Sequence, residues 1–126
     1  MNTATWIAQG VLALVLFGAG AVKLIKSKKD LIASGASMAW AEDFSAGVIK
    51  LIGVLEVAGA IGLVLPWALQ TVPVLTPLAG VGAVLLFLAA LAVHLRRHET
   101  KAVGGPILFA LLGAFIALSR FGIIGS

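Results

Sequence analysis

The most constraining stretch of this chain is Leu51 to Leu65, an apolar run broken by a single acid, Glu56. With its flanks the run is long enough to cross a bilayer, which takes about 20 apolar residues. A carboxyl at that depth costs on the order of 2.5–3.5 kcal/mol unless it meets a partner, a proton or water. Its neighbours on a helix are small: Gly53 at i−3, Gly59 at i+3 and Ala60 at i+4. Small residues at those spacings let a second helix come close. Glu56 therefore faces the interior of the protein.

Composition agrees with a membrane setting. The 126 residues are 61% hydrophobic and 11% charged, against about 25% charged in a soluble domain, and mean hydropathy is +1.15. The length allows one bundle and not two domains. With no cysteine, disulfides, thiol chemistry and cysteine-held clusters are excluded. The net charge of +4 sits beside membrane segments, where it sets topology and contacts anionic lipid; it does not point to nucleic acid.

Four helices are predicted, over residues 6–25, 46–65, 77–95 and 104–119. The first is not a cleaved signal, because its positive charges follow it. Lys26 to Ala46 reads as a linker lying on the membrane surface, with Leu31, Ile32, Met38 and Trp40 on an apolar side and a break at Ser34-Gly35. Ser45 is placed to cap the second helix, and Pro66 to stop it. Trp67 fits an interfacial anchor. Pro77 suits a first helical turn. The basic residues Lys26, Lys28 and Lys29 lie in the first connection and Arg96, Arg97 and Lys101 in the third, with none in the second. This asymmetry predicts an all-α, four-helix bundle with both termini outside and both basic connections in the cytoplasm; Arg120 argues weakly against it. Ala21–Lys26 faintly echoes Ala92–Arg97, as Gly59–Ile61 does Gly113–Phe115, which suggests two hairpins of the same orientation.

Three polar residues are candidates for chemistry. Lys23 ends the first helix, Glu56 lies inside the second and His94 ends the third. Lys23 has the reach to pair with Glu56, and His94 joins them near the cytoplasmic ends if the helices pack in sequence order. Each has a plainer role too: Lys23 snorkelling to headgroups, His94 as an interfacial residue, Glu56 in an ion pair that fixes packing. Gly18, Gly20, Gly53, Gly59 and Gly62 read as helix-packing residues. His94 and His98 are i, i+4 on one helical face, but no cysteine or acid beyond Glu99 completes a metal site. No phosphate loop, nucleophile elbow or paired-carboxylate set is present, so no catalytic residue is assigned.

Three stretches together resemble the DoxX family of small four-helix membrane proteins: Gly18-Ala-Gly-Ala-Val-Lys-Leu24, Ile52-Gly-Val-Leu-Glu-Val-Ala-Gly-Ala-Ile-Gly-Leu-Val-Leu-Pro66 and Ala92-Val-His-Leu-Arg96. The resemblance covers nearly the whole chain, and Lys23, Glu56 and His94 match the family's polar positions. It implies a multi-pass protein of a bacterial plasma membrane. One relative is linked to a thiosulfate:quinone oxidoreductase, and another associates with soluble redox enzymes.

Three functions follow as expectations. The first is a subunit or scaffold docking a partner at its cytoplasmic basic loops. The second is a redox-linked subunit with a quinone as cofactor and Glu56 or His94 exchanging protons. The third is a small-solute or proton pathway, which four short helices supply only as a homo-oligomer. No autonomous enzymatic activity is read from the residues.

Overall fold

The structure, a computed structural model, describes residues 2–124, and of residues 36 and 37 the backbone alone; the end of the tail, 125–126, lies outside the described residues. The elements are α1 (Asn2–Ile25), α2 (Lys28–Ala33), a 3₁₀ segment (Ala36–Asp43), α3 (Ala46–Leu69), α4 (Leu75–Arg96), a short 3₁₀ turn (Thr100–Ala102) and α5 (Gly104–Arg120). Among the described residues, four helical stretches are long and apolar enough to cross a membrane: Asn2–Ile25, Ala46–Leu69, Leu75–Arg96 and Thr100–Arg120. They pack as a ring in chain order, α1 on α3, α3 on α4, α4 on α5 and α5 back on α1. The core is Leu12, Leu16, Ala60, Leu63, Ala83 and Ile116. Large apolar side chains such as Leu14, Leu85 and Leu111 point outward, the arrangement a bilayer favours and water does not.

Close helix contact rests on two reciprocal glycine pairs. A Cβ on Gly20 would lie 2.7 Å from the Gly53 carbonyl oxygen, and one on Gly53 3.0 Å from that of Gly20. Gly80 and Gly113 stand in the same relation, each 2.9 Å from the other's oxygen. Gly20 precedes the last residue of α1 by five positions, and Gly80 follows the first of α4 by five. The crossings therefore lie toward opposite ends of the bundle, and the two hairpins are not packed alike. Of the other predicted packing residues, Gly62 meets Ala79 at 3.2 Å and Gly59 meets Leu16 at 3.6 Å, while a Cβ on Gly18 would touch nothing.

Two expectations need correction. Pro66 does not stop the second long helix, which runs on to Leu69 and closes on Gln70 in the left-handed region at φ 50°. Proline leaves the carbonyl four residues earlier without its N–H. Here that carbonyl belongs to Gly62, and the Thr76 hydroxyl donates to it at 2.9 Å. A polar partner from a neighbouring helix lets proline stay inside a membrane helix. Nor is the first connection a surface-lying linker. Ser27 caps α2, the chain breaks at Gly35 (φ 153°), and Ser45 caps α3. Leu31 and Ala41 are fully buried with Ile49 against Val22, Ile32, Trp40 and Phe44. The connection is folded over one end of the bundle because its apolar residues gain more by packing there than by lying in the interface.

Candidate functional site: a buried lysine–glutamate pair

The Gly20–Gly53 contact draws α1 and α3 together where the pair forms. Lys23 lies one turn beyond Gly20 toward the basic end, and Glu56 one turn beyond Gly53 away from it. Helical side chains lean toward the N-terminus, so Lys23 runs back along α1 toward Glu56 instead of out to headgroups. Its Nζ is 2.7 Å from Glu56 Oε1, and 3.5 Å from the Ala19 carbonyl oxygen. The residues are 6% and 5% exposed, and Glu56 Oε1 has no hydrogen bond to any other group. The Trp40 ring, carried by the folded connection, has its centroid 5.5 Å from Lys23 Nζ. The site is thus a compensated charge pair, closed above by an aromatic cover.

Lys50 supports this site from α3. Its Nζ donates to the carbonyls of Lys23 (2.7 Å), Leu24 (3.0 Å) and Lys26 (2.6 Å). These are the groups at the end of α1 left without intrahelical donors, and a cation there also meets the negative end of the helix dipole. Sequence reasoning missed Lys50; its place one turn after the Ser45 cap, beside the end of α1 in any tight hairpin, was the available signal.

His94 does not join the pair. Its Nδ1 lies 2.9 Å from Glu99 Oε1. Arg97 donates through Nε to Glu99 Oε2 at 3.3 Å and reaches Asp43 Oδ1 with Nη1 at 2.9 Å. The Asp43 and Glu99 carboxylates hold the Arg97 guanidinium more firmly protonated than usual. Glu99 is held below the ordinary carboxylate range, first by its hydrogen bond with His94 and then by Arg97. This second network ties the third connection to the cover over Lys23 and Glu56. α4 ends at Arg96 and His98 turns to φ 59°, so His94 and His98 do not share a helical face. Lys26, Lys29, Arg96 and Lys101 are exposed and Lys28 is half-buried.

A further polar cluster, unforeseen from the sequence, lies at the opposite end. Gln9, fully buried, donates to the Leu63 carbonyl at 2.5 Å and accepts from Arg120 Nε at 2.7 Å. Arg120 Nη1 donates to Asn2 Oδ1 at 2.8 Å, and Thr5 and Ser119 share a hydrogen bond of 2.7 Å. Arg120 also stacks on Trp67 and Trp6, at 4.6 and 5.3 Å from the ring centroids. The signal was present: Asn2, Thr5 and Gln9 at i, i+3 and i+7 make one polar stripe on an otherwise apolar helix.

Two apolar grooves open sideways. One, of about 390 Å³, lies between α1 and α3 beside Phe17 and Ile61. The other, of about 410 Å³, lies between α3 and α4 and is walled by Leu55, Gly59, Gly82 and Leu86. Glu56 is not in either wall.

No curated protein and no solved structure matches this chain. The family model of the DoxX-like family matches it over residues 7–116. That match runs from the first helix into the last of a four-helix apolar bundle, and the chain belongs to the DoxX-like family, small multi-pass membrane proteins.

Proposed function

We propose that this protein is a small membrane subunit that docks a soluble partner with an acidic surface on its basic end. The observation that carries the reading is how the cations are divided. Eight of the nine lysines and arginines lie at this end. Lys23, Lys50 and Arg97 are spent inside the fold on Glu56, on the end of α1, and on Asp43 with Glu99. Lys26, Lys28, Lys29, Arg96 and Lys101 have no such task, and they stand around two connections held together by the Arg97–Asp43 bridge. A held surface recognises a partner at a lower ordering cost than loose loops do. By the same charge asymmetry this end lies in the cytoplasm, with both termini outside. A bacterial plasma membrane and a redox enzyme as partner are what the resemblance to the DoxX family implies.

The test is gentle detergent extraction followed by mass spectrometry of whatever co-purifies. A soluble protein retained at low salt, and released by reversing Lys29, Arg96 and Lys101 to glutamate, is the expected outcome. Retention unchanged by the reversal would overturn it. Attraction between exposed charges is screened within about 8 Å at physiological salt, so the complex should also weaken as salt rises.

A second reading has one observation in its favour. The α3–α4 groove has room and an apolar lining for the tail of a quinone or similar isoprenoid, and Leu55 and Gly59 in its wall flank Glu56 along α3. In this reading Glu56 exchanges a proton with the bound head. An isoprenoid quinone extracted with wild type and lost on Gly82→Leu, which fills the groove, would support it.

A further inference from the structure

We propose that the end of the bundle opposite the basic face binds a phosphate-class oxyanion on Arg120, between Trp6 and Trp67. The reasoning begins with charge. All five acidic residues lie in the first and third connections or, for Glu56, in the half of α3 nearest them. Trp67, on which Arg120 stacks, is eleven residues beyond Glu56 on α3, about 16 Å at 1.5 Å per residue. Arg120 is the one lysine or arginine at its end of the molecule, and no aspartate or glutamate lies there to neutralise it.

Its guanidinium is nevertheless held in a fixed pose. The acceptors that hold it, Gln9 Oε1 at 2.7 Å and Asn2 Oδ1 at 2.8 Å, are neutral amides that orient the fork without cancelling its charge. Gln9 is itself locked by its bond to the Leu63 carbonyl. The third nitrogen, Nη2, is buried and has no hydrogen-bond partner. A buried donor left unpaired costs about 1–3 kcal/mol, more on a charged group. Stacking against two indoles offsets part of that cost, but supplies no negative charge.

An oriented guanidinium with an unused N–H is matched by a tetrahedral oxyanion, which accepts charge-assisted hydrogen bonds. The position adds to this. Tryptophans of membrane proteins concentrate at headgroup level, the level of lipid phosphates, and two of them flank this arginine. Since Nη2 is closed to solvent, an anion reaches it only as its surroundings shift, and the two indoles beside the guanidinium are among them. Tryptophan emission is therefore the direct readout.

The chain has three tryptophans, and the third, Trp40, belongs to the cover at the other end. In a Trp40→Phe background, fluorescence reports on Trp6 and Trp67 alone, and anion contacts with the basic face stay silent. The probes are short-chain phosphatidylglycerol and inorganic phosphate, titrated separately into protein in a neutral detergent. A saturable change with phosphatidylglycerol alone identifies a lipid headgroup as the ligand; one with inorganic phosphate identifies a free anion. Arg120→Gln should weaken either response by roughly ten-fold or more. Asn2→Asp keeps the acceptor of Nη1 but supplies an internal carboxylate, and should weaken it several-fold; this variant decides the matter if Arg120→Gln does not fold. The proposal is overturned if neither probe gives a response, or if the response keeps its affinity in both variants.

Discussion

Lys23 Nζ and Glu56 Oε1 lie 2.7 Å apart, in residues less than a tenth exposed, one turn beyond the glycines that bring their helices together. The geometry makes each charge the condition for burying the other. A buried pair is seldom a gain over well-packed apolar residues, but losing one partner is costly. The pair therefore fixes which face of α1 meets α3.

Removing one charge should cost more than removing both. Glu56→Gln is expected to destabilise by about 3 kcal/mol, the low end for an orphaned buried charge, because Lys23 in the last turn of α1 retains a route to the headgroups. Lys23→Met with Glu56→Leu should be close to neutral. Unfolding of these two variants and the wild type in one detergent compares them; equal losses would show that the pair does not act as a unit.

The glycine crossings predict opposite effects for the same substitution. Gly20→Ala places a Cβ 2.7 Å from a backbone oxygen, so the helices must part, at about 1–3 kcal/mol. Gly82→Ala meets nothing within 4 Å and exchanges a poor helix former for the best, a gain of up to about 1 kcal/mol. Thermal melts should move in opposite directions, and Gly80→Ala should follow Gly20→Ala.

Thr76 is expected to matter because Pro66 is there. Thr76→Val leaves the Gly62 carbonyl without its donor, at about 1–3 kcal/mol. Pro66→Ala returns a backbone N–H to that carbonyl, so in its background Thr76→Val should cost markedly less. Additive losses in the double variant would refute the coupling.

The third connection should loosen in acid. Glu99 titrates below its ordinary 4.5, held down first by its hydrogen bond with His94 and next by Arg97. A carboxylate with a depressed folded-state pKa contributes stability above its ordinary value, and loses it as pH falls through the folded one. Amide exchange over residues 96–103 should therefore rise as pH drops below about 4.5, after correction for intrinsic exchange. Glu99→Gln should exchange faster already at neutral pH and lack that step. An unchanged pH profile in the variant would assign the loosening to Asp43 or another group.

Much of this architecture was legible in the sequence because it depends on properties each segment has alone. Hydropathy and length located all four spans, and Ser45, Gly35 and Pro77 act through local backbone geometry, so the helix starts and the break in the first connection could be placed. The inward orientation of Glu56 followed from the small residues around it, and Lys23 as its partner from reach. Which groups meet beyond that depends on which helices are neighbours and where side chains lean. His94 turns to Glu99 because the chain reverses after Arg96, and Pro66 stays helical because α4 brings Thr76 to the Gly62 carbonyl. The connection over Lys23 folds inward because a pocket for Leu31 and Ala41 exists only once α1 and α3 have packed. Arg120 shows the difference most clearly: its sequence neighbours mark only a basic helix end, while its partners Asn2, Gln9, Trp6 and Trp67 come from the far side of the chain. Segment properties are one-body terms that a sequence carries directly; partner choice is a pairwise term, and only the packed bundle sets it.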